Sequence, residues 1–164
     1  MNRTILELTF LVTFLLLFSG CVDIGGSDTN TSSQENAGLV EVSSLGDIDQ
    51  ALVNGPVLVE MGYDGCPACI AQEPIMEEIA AEYQGKADVL HIDTKNAGPL
   101  ARQFGVDYVP DSFVIVDGEE GQYVYMKADG QTTTDRSGAR FVGLTRKDNL
   151  AATLDKAIEL RQGG

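Results

Sequence analysis

From Leu39 onward, apolar residues come in short blocks separated by turn formers, and the period inside each block tells strand from helix. Leu39 to Val42 is a short strand candidate. Leu45 to Val53 follows at helical spacing, introduced by Ser44 with Asp47 three residues later, a capping-box arrangement, and ended by Gly55-Pro56. Val57 to Met61 is continuously apolar except for Glu60, the pattern of a strand buried on both faces of a sheet. Ile70, Ile75, Ile79 and Ala80 then recur at roughly helical spacing towards Tyr83. Pro74 inside this stretch predicts a kink, and Gly85 a stop.

Val89 to Ile92 reads as a second buried strand and Leu100 to Phe104 as a short helix. Phe113 to Val116 reads as a third strand, with Gln122 to Met126 pairing to it as a hairpin. A last helix is expected from Arg146 to about Leu160, with Thr145 and Asp148 as its cap pair and Leu150, Leu154, Ala157 and Ile158 on one face. The alternation predicts an α/β fold, a sheet with helices on both faces.

The first twenty residues are different material. Arg3 is followed by an apolar stretch of about eleven residues, Leu8 to Phe18, and then the small residues Ser19 and Gly20, which is the shape of a secretory signal peptide. The stretch falls short of the roughly twenty residues a membrane-spanning helix needs. Phe18-Ser19-Gly20-Cys21 resembles a lipobox, in which Cys21 would become the lipidated first residue and a membrane anchor. Ordinary cleavage, leaving Cys21 a free thiol, and a retained anchor are the alternatives. Each places the rest of the chain outside the cytoplasm, at the cell surface, where disulfides persist. Residues 21–38, rich in Gly, Ser, Thr, Asn and Asp, read as a flexible tether, which leaves residues 39–164 as the folded domain. Asn30-Thr31-Ser32 within the tether is formally a glycosylation sequon.

Composition narrows the function. With 43% hydrophobic residues among 164, the chain can build one well-buried core. Its formal charge of −14, from 25 acidic and 11 basic residues, repels phosphate backbones and disfavours nucleic acid as a partner. The acidity also suits a soluble surface and a salty setting.

Cys66-Pro67-Ala68-Cys69 carries the chemistry. It sits where the Val57 to Met61 strand gives way to a helix, so the Cys66 sulfur falls at a helix N-terminus, where free backbone N–H groups and the helix dipole favour a thiolate. Cys69, one turn further in, is close enough to break a mixed disulfide by closing an internal one. A purely structural bridge would close too small a loop to constrain the unfolded chain much. A zinc site would need about four ligands, and only these two thiols, His91 and the distant Cys21 are on offer. The pair reads as the site of a thiol–disulfide oxidoreductase that needs no cofactor, since Gly25-Gly26 precedes no strand–turn–helix unit.

The chain from Leu39 to Ile158 resembles the thioredoxin family. The resemblance is carried by Pro56-Val57-Leu58-Val59-Glu60, Cys66-Pro67-Ala68-Cys69, Pro74, Ile92-Asp93, Phe104-Gly105-Val106, Val109-Pro110 and Val142-Gly143, in order and at family-like spacing. It implies a thioredoxin-like fold, a central mixed β-sheet flanked by helices on both faces. It also implies an exposed attacking Cys66, a buried resolving Cys69, and a cis bond before Pro110 beside them. Glu60 matches a buried aspartate that helps take the proton from the resolving thiol, as a buried acid can near neutrality. The bland alternative for Glu60 is a partly exposed residue at a strand end.

The implied partners are substrate proteins with disulfides or thiols and a second redox protein. A non-catalytic binding module and a metal-handling thiol protein are the rival readings. The chain departs from the family pattern in having Gly65 before the first cysteine, Pro67-Ala68 between the cysteines and Asp111 after Pro110. Such positions tune a reduction potential that spans about 150 mV across related enzymes. Asp64 and Asp111, if near Cys66, would oppose its thiolate. His91, the sole histidine, reads first as structural and second as a proton carrier. Residues 117–140 form a longer hairpin region than a small thioredoxin has, a variable ornament or a surface for a partner.

Overall fold

The structure, a computed structural model, describes residues 38–163. The expected signal peptide, Cys21 and the tether up to residue 37 lie outside the described residues. Element order is β1 (Val40–Glu41), α1 (Leu45–Leu52), β2 (Val57–Gly62), α2 (Pro67–Glu82), β3 (Asp88–Asp93), α3 (Gly98–Gln103), β4 (Asp111–Glu119), β5 (Gln122–Met126), β6 (Thr132–Thr133), a 3-10 turn (Arg136–Gly138), β7 (Arg140–Val142) and α4 (Lys147–Gly163). The strands line up as β1-β3-β2-β4-β5-β6, with β7 on β4. β3 is parallel to both β1 and β2; every pairing of β4 and β5 is antiparallel. The sheet is therefore mixed, as expected.

Alternation along the central strands divides the interior in two. Val57, Val59 and Met61 of β2 join Ile48 of α1, Leu100 of α3, Phe113 and Ile115 on one face. Leu58 turns to the other, with Met76 and Ile79 of α2 and Leu150, Leu154 and Ala157 of α4. Each fully buried Leu, Ile or Val contributes about 1.5–3 kcal/mol. Glu60 is in phase with Leu58, which puts it on the α2 side.

The capping box forms as read: the Asp47 N–H donates to Ser44 Oγ at 3.3 Å and the Ser44 N–H to Asp47 Oδ2 at 2.9 Å. α2 continues through Pro74 as one helix. The proposed cap pair at the last helix is replaced. The Thr145 hydroxyl turns to the Gly143 carbonyl, and fully buried Gln72 of α2 binds both the N–H and the C=O of Thr145, tying the start of α4 to the redox helix. β4 is longer than its apolar run because Asp111 and Ser112 pair with β2 and β7, while Asp117 to Glu119 pair with β5.

Candidate active site

β2 ends at Gly62, and the chain reverses through Gly65, whose φ of +91° belongs to the left-handed region that glycine enters without strain. That turn delivers Cys66 as the N-cap of α2, with Pro67 in the first helical turn, where a missing N–H costs nothing. Cys66 Sγ accepts from the Cys69 N–H at 3.2 Å. The helix terminus therefore contributes a real donor to this sulfur, besides its dipole.

Cys66 and Cys69 are joined as a disulfide, their Cα atoms 5.2 Å apart. The resemblance implied an exposed first and a buried second cysteine. In this oxidised form both are covered, at 6% and 7% exposure, because each sulfur shields the other and Cys66 Sγ lies 3.9 Å from the Val109 carbonyl. What separates the two is chemical surroundings. Cys66 Sγ meets a helix N–H and the loop before Pro110, whereas Cys69 Sγ faces the sheet.

The Val109–Pro110 peptide bond is cis. The Pro110 carbonyl accepts from the Gly143 N–H at 2.7 Å, so this loop is held by the segment that follows β7. Asp111, expected to oppose a thiolate, is fully buried. Arg136 binds one of its carboxylate oxygens and Arg140 the other, each at 2.9 Å, and this pairing offsets its charge. Both arginines belong to the segment 117–140. Exposed Asp64 has its carbonyl bonded by Lys95 Nζ at 3.1 Å, and the same ammonium stands 4.0 Å from the centre of the Tyr63 ring. A cation therefore lies beside this stretch of acid.

Glu60 is only 3% exposed, which rules out the strand-end reading. Its Oε2 lies 2.5 Å from His91 Nδ1, a distance at which the ring N–H donates to the carboxylate. Its Oε1 has no partner. A methyl group placed on Gly62 would come 2.6 Å from that oxygen and 3.2 Å from Cys69 Sγ, so the free oxygen and the resolving sulfur converge on one space that only glycine leaves open. His91 is opposite Glu60 in the parallel β2–β3 register. The pairing is invisible to spacing along the chain, since 31 residues separate the two. The Glu60 hydrogen bond holds His91 above the usual imidazole range, against the opposing effect of burial, and the nearby carboxylates of Glu41 and Asp93 add to the rise.

Among the described residues, no group of three or more His, Cys, Asp or Glu side chains is placed to hold a metal ion. The arrangement can exchange a disulfide and move a proton.

A family model described as Thioredoxin matches residues 40–136. Thioredoxin from Staphylococcus aureus is 32% identical over 112 residues, covering 68% of this chain and 91% of that protein. Among solved structures, a single-substitution variant of thioredoxin from Halobacterium salinarum superposes with a TM-score of 0.57 at 24% identity, covering 74% of this chain and 92% of that one. Spinach chloroplast thioredoxin f gives a TM-score of 0.55 at 22% identity, covering 74% and 94%.

Proposed function

The chain belongs to the thioredoxin family of thiol–disulfide oxidoreductases, and from that premise we propose a membrane-tethered, extracytoplasmic enzyme acting on protein disulfides through Cys66 and Cys69. The observation that carries the assignment of roles is the hydrogen bond from the Cys69 N–H to Cys66 Sγ, which stabilises negative charge on that sulfur. In the reducing direction, the Cys66 thiolate attacks a client disulfide. One client sulfur bonds to Cys66 and the other leaves as a thiolate. Cys69 then loses its proton to Glu60 Oε1, and its sulfur attacks Cys66 Sγ. The internal disulfide closes, and the client departs with both its thiols, reduced by two electrons. A second dithiol protein restores the pair. In the oxidising direction the same steps run backwards.

Pro110 shapes the surface beside the disulfide, and the client docks there. Exposed Ile70, Tyr108 and Val142 supply apolar contact on the segments that follow Cys69, precede Pro110 and pair with Asp111. The location rests on the signal-like residues 1–20 and on Cys21 as the lipidated anchor.

The test is reduction of insulin disulfides by a dithiol-driven assay. Wild type should turn over, Cys66→Ser should fall to background, and Cys69→Ser should accumulate a mixed disulfide on Cys66. Equal turnover by all three proteins would remove the enzymatic reading. For the anchor, Cys21→Ser should release the protein from the membrane fraction and abolish incorporation of labelled palmitate; retention with unchanged labelling would overturn it.

A further inference from the structure

The buried end of Glu60 faces Cys69, and its other oxygen faces a ring that reaches water. His91 retains 24% of its side-chain surface and, with Glu60 and Cys69, lines a cavity of about 290 Å³ on the α2 side of the sheet. That cavity is one-signed. Glu41 of β1, Asp93 of β3, Glu73 and Glu77 of α2 and Asp64 of the redox loop line it, and no lysine or arginine does. A proton arriving on His91 is stabilised by the carboxylates of Glu60, Glu41 and Asp93, while Lys95, against Tyr63 and the Asp64 carbonyl, is the cation beside the cavity. Glu60 without His91 would be a buried carboxylate with neither oxygen hydrogen-bonded to a side chain.

We propose that His91 is the positioning residue of this dithiol, holding Glu60 through Oε2 so that Oε1 faces Cys69 and can accept its proton, and passing protons between Glu60 and the acidic cavity. The inference rests on the reading that Cys69 is the resolving thiol. When Cys69 gives its proton to Oε1, the Glu60–His91 pair holds one proton more than at rest. The ring releases its Nε2 proton to water in the cavity, which leaves a neutral Glu60 beside a neutral ring; the Oε1 proton then passes through cavity water to Nε2, and the pair returns to its starting state. No other reactant is consumed.

The pH dependence of client reduction tests this. In His91→Leu the carboxylate loses the donor that holds it and Cys69 gives up its proton less readily, so the acidic limb of the rate profile should move up by about one unit, read as roughly tenfold slower turnover at the low-pH end. His91→Asn, which restores a donor but cannot take up a proton, should lie between the two. On a Glu60→Gln background, His91→Leu should change nothing further. An unmoved limb, an equal slowing at every pH, or the same effect in the Glu60→Gln protein would each overturn the proposal.

A second measurement needs no client. In Cys66→Ser protein, the pH dependence of iodoacetamide labelling at Cys69, located by peptide mass, should shift in the same direction when His91 is replaced by Leu. If wild type fails to reduce insulin and this shift is still seen, the enzymatic reading falls and the proton route stands. If insulin is reduced and neither profile moves, the proton route falls alone.

Discussion

At the scale of single residues, the buried charges of the site are matched by specific neighbours, Glu60 by His91 and Asp111 by two arginines. His91 stays protonated more readily in the folded protein than in the unfolded chain, chiefly through the hydrogen bond it donates to Glu60. Its contribution to stability is therefore complete below the ordinary imidazole value of about 6.5 and is lost as pH rises through the raised one. Urea unfolding should show the gap between wild type and His91→Leu widest near about pH 6 and shrinking towards about pH 9. Asp111 behaves differently because both its oxygens are paired and it has no exposed surface. Asp111→Ala would leave Arg136 largely buried without its partner, and unfolding should show a loss of about 3–5 kcal/mol. Cys66, Cys69 and Pro110 could be read directly, because their meaning lies in local order along the chain. The partner of Glu60 could not. His91 reaches it only through the register of two parallel strands, and Asp111 meets its arginines only after the chain has folded back from Arg136 and Arg140.

At the scale of elements, boundaries were legible wherever a cap or a turn marks them. Ser44 and Asp47 announce α1, and the structure closes both of their hydrogen bonds. Ser44→Ala should cost about 1 kcal/mol in urea unfolding while leaving thiol chemistry intact. Strands β6 and β7 carry no such signal: Thr132–Thr133 and Arg140–Val142 are too short for a period-two pattern to stand out. β7 nonetheless matters to the site, since it pairs with Asp111 to Phe113 and leads into the Gly143 bond to Pro110. The strand that ends the 117–140 segment, whose sequence reads as ornament or a partner surface, thus braces the loop beside the disulfide. The ends of β4 were missed for a related reason, because Asp111, Ser112 and Asp117 to Glu119 join the sheet through backbone pairing rather than apolar side chains.

At the scale of the molecule, a net charge of −14 on 164 residues means that folding gathers like charges together. Raising salt from about 0.05 M to about 1 M shortens the screening length to about 3 Å and should raise the urea midpoint. An unchanged or falling midpoint would show that exposed pairs such as Lys147 with Glu78, also weakened by salt, dominate instead. The layered α/β plan was legible because each central strand and helix carries its own period. The division of the interior into two cores was not, since it depends on which side chains of β2 face which helices.

The far end of α4 reaches back across this plan. Arg161 donates through Nη1 to the carbonyls of Leu52, at the end of α1, and Val116, inside β4, each at 3.0 Å. Leu150, Leu154 and Ala157 on the same helix complete the core beneath α2. A ribosome making this protein must therefore extrude nearly all of it before the redox helix, already able to lie on β2 and β3, gains the helix that closes its core. The surroundings of the Cys66–Cys69 bond are complete only once synthesis has passed Arg161.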